Sequence, residues 1–487
     1  MTILNSIALT QNWTFTENGA DCHRTSGSAL LDCFAICGAM RNRTDSEIET
    51  VFQKAIIENP LLALRLAFYT RDIRGGLGER RTGRIMFQVL AKHYANVLIP
   101  NLPFIAEFGR WDDLVNLLCT PVEAEVISLL SAQLEEDCSQ MLEGKPVSLL
   151  AKWLPSVNTS SRKTKRQAKK LASAFGMSEK QYRKVMSQLR AYINVTERNL
   201  SMSAMDYIRY DAVPSYAVKK YRKAFRRNDE ERFSSYLEAV ASGKSSIHGE
   251  VLYPYDIVKQ VLYGIDSNNP VLEAQWKALP DLVKGDQRFL IMADVSGSMY
   301  GRPMATSIGL ALYFAERNTG LFHNRFMTFS ARPELVEVKG KTLYEKIRWI
   351  ENAHWDMNTN LEAAFELVLQ SAVEHQIPQE ELPTSIVVIT DMEIDVCTST
   401  VRHDFTSEMN QRFSEAGYVM PNLVFWNVDA RNNTFHCLLN AGSVQLVSGQ
   451  SVQVFKNLMN GVSMTPYEYM VSVLQDKRYD CIVYPEN

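Results

Sequence analysis

The chain has 487 residues, too many for one ordinary core, so two or more domains are expected. With 52 Lys and Arg, 55 Asp and Glu and 46% hydrophobic residues, the composition is typical of a soluble globular protein, and no apolar run reaches the length of a membrane span. The net charge of −3 hides an asymmetry: residues 1–285 hold 37 basic against 31 acidic side chains, residues 286–487 hold 15 against 24, and such opposed halves suggest different partners.

Taken in chain order, the first residues from Met1 to Asn5 carry no basic flank or signal-like apolar core, so a cytoplasmic protein is expected. Between about 25 and 285, apolar residues recur at three-to-four spacing over 28–40, 46–58, 61–70, 80–94, 102–108, 111–118, 123–143, 163–174, 179–194 and 217–241. Strand patterns are scarce there and the breaks are short, which predicts an all-helical array of α-solenoid type without a readable repeat period. Cys22, Cys33, Cys37, Cys119, Cys138, Cys397, Cys437 and Cys481 lack Cys-x-x-Cys spacing and read as reduced thiols.

Gly75, Gly76 and Gly78 cluster beside Arg71, Arg74, Arg80 and Arg81, but without the Lys-Ser/Thr of a phosphate loop and without a preceding buried strand. The glycines read as a helix break; the arginines could face a nucleic acid or pair with Asp72 and Glu79, and pairing is the favoured reading. Two basic tracts are candidates for phosphate-backbone contact. The first holds Lys163, Lys165, Arg166, Lys169 and Lys170, with few acids near in sequence. In the second, a helical wheel puts Lys219, Arg222, Lys223 and Arg226 in one stripe, Lys220 and Arg227 at its edge, and Val218, Tyr221 and Phe225 opposite. A solvated face balanced by Asp229, Glu230 and Glu231 is the competing reading.

Beyond residue 286, strand patterns at 288–293, 325–329, 335–338, 385–390, 422–427 and 444–447 alternate with helical ones at 304–317, 342–351, 361–375, 404–416, 452–459 and 467–475. That alternation predicts a mostly parallel sheet covered on both faces. The first strand runs into Asp294, followed by Ser296 and Ser298; the fourth runs into Asp391; Thr359 precedes the helix starting at Leu361. Ligands in open α/β sheets collect outside the carboxyl ends of strands, and an oxygen-only donor set there suits Mg²⁺ or Mn²⁺. Asp-x-Ser-x-Ser with the later Thr and Asp resembles the metal-ion-dependent adhesion site of von Willebrand factor type A domains. The resemblance spans roughly 286–487 and implies a Rossmann-like fold with Asp294, Ser296, Ser298, Thr359 and Asp391 as metal ligands. The competing reading of each hydroxyl is a helix cap.

Three N-terminal stretches, Thr70 to Arg80, Gly109 to Leu114, and Val213 to Arg227 followed by Tyr253-Pro254, resemble the uncharacterised DUF2828 family, which is related to the TROVE domain of the Ro ribonucleoprotein. This implies an α + α/β chain: a HEAT-like helical domain over 1–285, which in Ro closes into a ring that binds small structured RNAs outside and single-stranded RNA ends in its basic hole, then a type A domain over 286–487. No Ser-His-Asp set or His-Glu-x-x-His motif is present and His354 stands alone near Thr359, so a binding protein is expected rather than an enzyme. An RNA-binding scaffold leads; an adaptor docking a partner's acid on the metal is the alternative; a metal-dependent hydrolase ranks third.

Overall fold

A computed structural model of the chain describes residues 11–241, 252–264, 269–283, 287–330, 332–353, 361–394, 405–458 and 464–485. The N-terminal region is helical and the C-terminal region holds a six-stranded mixed sheet with helices, an α + α/β layout. Helix starts follow local chemistry. Thr44 with Glu47, Ser178 with Gln181, Thr342 with Glu345 and Thr465 with Glu468 form reciprocal capping boxes that satisfy the first free N–H groups of their helices.

Two expectations need correction. The N-terminal region is not all-helical: β1 (Trp13–Phe15) and β2 (Asp21–His23) pair antiparallel around a Thr16–Gly19 turn, with Gly19 at φ +88°. Strands of three residues are too short to signal themselves in sequence, and these are held by a distant partner, since His23 and Phe435 exchange backbone hydrogen bonds of 2.8 and 3.0 Å. The helix expected over 217–241 is two, Ser215–Asn228 and Glu230–Ala241. Asp229 leaves the helical conformation; its carboxylate accepts from Tyr210 Oη (2.8 Å) and pairs with Arg232 (3.0 Å), a local bonding choice typical of Asp at a helix boundary. The helices Thr196–Ser201, Pro254–Tyr263 and Pro270–Lys277 are additions.

The sheet is formed by β3 (Phe289–Ala293), β4 (Arg325–Thr328), β5 (Leu335–Glu337), β6 (Ser385–Thr390), β7 (Asn422–Asn427) and β8 (Val444–Ser448), in the order β5-β4-β3-β6-β7-β8. All neighbours run parallel except the edge pair β4–β5. β3, β6 and β8 are buried at every residue, as strands covered on both faces must be. The chain builds outward in one direction after β3 and in the other after β6, so the sheet's switch point lies between these two strands.

Spatial contacts group the chain into two compact units: Met1–Thr70, Gly75–Thr82 and Leu252–Tyr479 in one, and Arg71–Arg74, Gly83–Val251 and Asp480–Asn487 in the other. This division differs from the boundary expected at 285/286. The first unit places the Ala29–Ile36 helix on β8 and the Pro254–Tyr263 helix on the Arg302–Arg317 helix. Gly38 lies so close to β8 that a Cβ would stand 2.6 Å from Ser448 O, a contact open only to glycine.

Candidate functional site

Asp294 and Asp391 follow directly on β3 and β6, which are neighbours in register, Ala293 against Ile389. The strands thus deliver both carboxylates to the switch point, and the Asp294 N–H donates to Ile389 O (3.0 Å). Thr390 links them: its Oγ1 donates to Asp294 Oδ2 at 2.7 Å and lies 3.5 Å from Asp391 Oδ1. Asp294 is 3% exposed and Asp391 2%. Burial pushes the Asp294 carboxyl up to about 6; hydrogen bonds from Thr390 and Ser296 oppose the shift, and the charge of Asp391 adds to it. The Ser296 N–H donates to Asp294 Oδ1 (2.8 Å), and the Ser296 and Ser298 hydroxyls stand 3.1 Å apart on the accessible rim.

Four of the five expected ligands therefore belong to one cluster, while Thr359, with Asn358, Asn360 and His354, lies outside the described residues. Two carboxylates, one of them buried at a cost that a cation would relieve, and two hydroxyls fit a hard divalent ion. Among the described residues no three His, Cys, Asp or Glu side chains converge as a metal cage, so an ion here would lean on hydroxyl oxygens.

Sequence reasoning placed Glu393 near the site but missed Arg431, Asn432 and Glu17 behind Asp391. Arg431 Nη2 binds Asp391 Oδ2 at 2.8 Å and Nη1 binds Glu17 Oε2 at 2.9 Å. Asn432 Nδ2 donates to Glu17 Oε1 (2.7 Å) and Glu393 Oε1 (3.0 Å), and the Glu17 N–H donates to Glu393 Oε2 (2.7 Å). Arg431 had a readable signal, since it follows β7 at the same carboxyl edge as the two aspartates. Glu17 had none.

The basic tracts fare unevenly. Lys163, Lys165 and Arg166 are exposed on the Arg162–Ala174 helix. Lys169 pairs with Glu179 (2.8 Å) and Lys170 with Glu123 (2.5 Å), so the expected scarcity of acid near this tract does not hold in space. Arg190 is half-buried and donates to the Ala151 and Leu154 carbonyls and to Ser156 Oγ, a structural role. In the second tract Val218 and Phe225 are fully buried, and Phe225 packs on Tyr210, Tyr221 and Phe233. Lys220, Lys223, Arg226 and Arg227 are exposed and Arg222 is intermediate, while the Lys219 side chain lies outside the described set. Lys220 Nζ sits 4.8 Å from the Tyr221 ring centroid.

Arginines of the glycine-arginine segment pair with acids remote in sequence, Arg71 with Asp113 and Arg81 with Asp45. Arg71 binds Asp113 (2.7 Å) with both side chains enclosed, Arg84 adds bonds to Asp112 (2.8 Å) and Asp113 (2.5 Å), and Glu79 binds Arg41 (2.7 Å). Gly83 and Gly109 pack against Arg71, where a Cβ would come within 2.9 and 3.2 Å of its side chain. The two stretches around Arg71 and Asp113 thus mark a buried ion network.

Two family descriptions match this chain, one on each side of residue 288. The chain matches the family described as Domain of unknown function (DUF2828) over 16–129 and 158–287, half of its length, and belongs to that family. Residues 289–480 match a second one, Domain of unknown function (DUF7788). An uncharacterized protein of Acanthamoeba polyphaga mimivirus is 29% identical over 503 aligned positions, covering 95% of this chain and 87% of the viral protein.

Proposed function

We propose that this DUF2828 protein is a Ro-like RNA-binding scaffold, in which the basic helical region contacts small or single-stranded RNA. On this reading the sheet domain has the von Willebrand type A fold, holds Mg²⁺ or Mn²⁺, and engages a partner carboxylate or phosphate. The observation that carries the reading is the pair of buried carboxylates hinged on Thr390 at the switch point, beside the Ser296 and Ser298 hydroxyls. Asp294, Ser296, Ser298 and Asp391 would hold the ion, with Thr359 as the fifth expected ligand. When bound, the cation supplies a coordination position that accepts an anionic oxygen. Thr390 and the Ser296 N–H orient Asp294 for that role.

The RNA half rests on the exposed Lys163, Lys165, Arg166, Lys223, Arg226 and Arg227, and on the resemblance to Ro. Binding of a labelled single-stranded RNA, followed by anisotropy over a salt series, tests it. The affinity is expected to fall linearly in log–log form with salt, and the Lys219→Glu/Lys223→Glu/Arg226→Glu protein to bind at least about tenfold more weakly with an unchanged melting curve. Equal affinity in that variant refutes the RNA reading.

The acid pairing of Lys169 and Lys170 favours a second reading, an adaptor that docks a partner protein's Asp or Glu on the metal and binds no RNA. Loss of a protein complex in Asp294→Asn, with no RNA affinity in either protein, selects it.

A further inference from the structure

The turn between β1 and β2 is fastened to the loop that carries Asp391. Thr16 Oγ1 donates to Ile394 O (2.7 Å), the Glu17 N–H to Glu393 Oε2 (2.7 Å) and Asn18 Nδ2 to Glu393 O (2.6 Å). Within that loop Met392 takes φ +69°, a left-handed conformation that a non-glycine residue holds only when its surroundings impose it. One link in this fastening is ionic. Arg431 bridges Asp391 and Glu17, and its Nε is buried with no hydrogen-bond partner among the described residues, so the guanidinium is incompletely satisfied where it sits.

We propose that Arg431 is the resident counter-ion of the candidate metal site, and that through Glu17 it couples docking of the β1–β2 turn to occupancy of that site by a divalent cation. The inference rests on the metal-site reading above. A guanidinium on Asp391 Oδ2 already neutralises one of the two carboxylates that would attract the ion. An arriving divalent cation repels it across the same carboxylate, in a setting where Asp391 is almost wholly enclosed and charge interactions are strong. Arg431 has somewhere to go, because its second anchor, Glu17, is half-exposed at the rim. Its displacement puts more of its charge on the residue whose own N–H pins the turn to Glu393. Cation binding therefore tightens the hairpin, and a docked hairpin, by offering Glu17 to the displaced guanidinium, favours cation binding.

Two substitutions in the full chain separate this from a purely structural role, because their effects have opposite signs. Arg431→Gln removes the competitor, and its affinity for Mg²⁺, measured by calorimetric titration, should rise on the order of tenfold. Glu17→Gln leaves the whole guanidinium charge on Asp391, and Mg²⁺ affinity should fall. Hydrogen exchange of peptides covering 13–23 should slow when Mg²⁺ is added to the unsubstituted protein and stay unchanged on addition to Arg431→Gln. Melting curves without cation report whether each variant is folded; should Arg431→Gln fail to fold, the direction of the Glu17→Gln effect and the exchange of the unsubstituted protein decide. Equal Mg²⁺ affinity in all three proteins, with exchange indifferent to Mg²⁺, overturns the coupling and leaves the metal site standing. No binding of Mg²⁺ or Mn²⁺ to any of them overturns both.

Discussion

Replacing Asp113 by Asn should unfold the helical unit that contains it at markedly lower denaturant. The carboxylate has no exposed side-chain surface and Arg71 retains 1%, so the pair sits in a medium that cannot solvate an orphaned guanidinium. Asp113 Oδ2 accepts from Arg71 Nε (2.7 Å) and from the Arg110 N–H (2.9 Å), and Oδ1 accepts from Arg84 Nε (2.5 Å). Asn keeps the volume and one acceptor but loses the charge and turns an amide donor toward one of the two cations. Breaking a buried pair by removing one partner costs about 3–5 kcal/mol, which at about 2–4 °C per kcal/mol for a unit of this size lowers its melting temperature by about 6–20 °C. Urea denaturation followed by far-UV circular dichroism measures the loss. Arg74→Ala is the control: Arg74 is exposed and donates to Glu107 O, so its loss should stay within about 0.5 kcal/mol. A cost below about 1 kcal/mol for Asp113→Asn, together with weakened RNA affinity, would refute the structural assignment and return the glycine-arginine segment to the phosphate-binding candidates.

Two further outcomes follow from the sheet domain. Mg²⁺ at a hundred times its dissociation constant should stabilise the protein by about 2.7 kcal/mol; Asp294→Asn should abolish that gain, and a melting curve identical in excess chelator would mark the pocket as one that binds no cation. His436 gives a pH dependence: burial holds its pKa down at about 4, although Nε2 lies 2.9 Å from Met392 O, while the unfolded ring titrates near 6.5. The unfolded chain then takes up a proton first, so this contribution is complete above pH 6.5 and is lost as the pH falls from 6.5 toward 4. The ring is only partly shielded, so the loss is at most about 3 kcal/mol, and His436→Gln should flatten that part of the stability–pH curve.

The sheet was legible because its strands are short, mostly apolar runs alternating with helical patterns, and the candidate site because two of those runs lead into a carboxylate. Once β3 and β6 are parallel neighbours, Asp294 and Asp391 must meet. The helix starts are set by equally local chemistry, as at Thr44 and Thr342. What escaped depends on partners remote in sequence. β1 and β2 have three residues each and lean on Phe435; Glu17 finds Arg431 across the chain; Lys170 finds Glu123. No window of neighbouring residues contains those contacts.

The same remoteness separates the sequence boundary from the folding unit, with a consequence for fragments. Residues 286–487 hold every strand of the sheet and four of the five expected metal ligands within the described residues, so they read as an independent domain. Yet β8 is covered by Ala29–Ile36 and the Arg302–Arg317 helix by Pro254–Tyr263, both outside that range. Leu30, Leu31, Phe34, Ile36, Ile257, Val258 and Val261 on those two helices are all at most 2% exposed. At about 1.5–3 kcal/mol for each large apolar side chain, their removal forfeits on the order of 10 kcal/mol even after discounting burial within their own segments. Arg43 is lost as well, and with it hydrogen bonds to Ala430 O, Asn432 O and Asn433 Oδ1 that hold the loop bearing Arg431. Since a domain's whole stability is about 5–15 kcal/mol, the fragment 286–487 should give poorly dispersed amide resonances and no cooperative thermal transition. The full chain should give both. A fragment that melts cooperatively, at the temperature of the full chain, would show that the N-terminal helices only decorate the sheet.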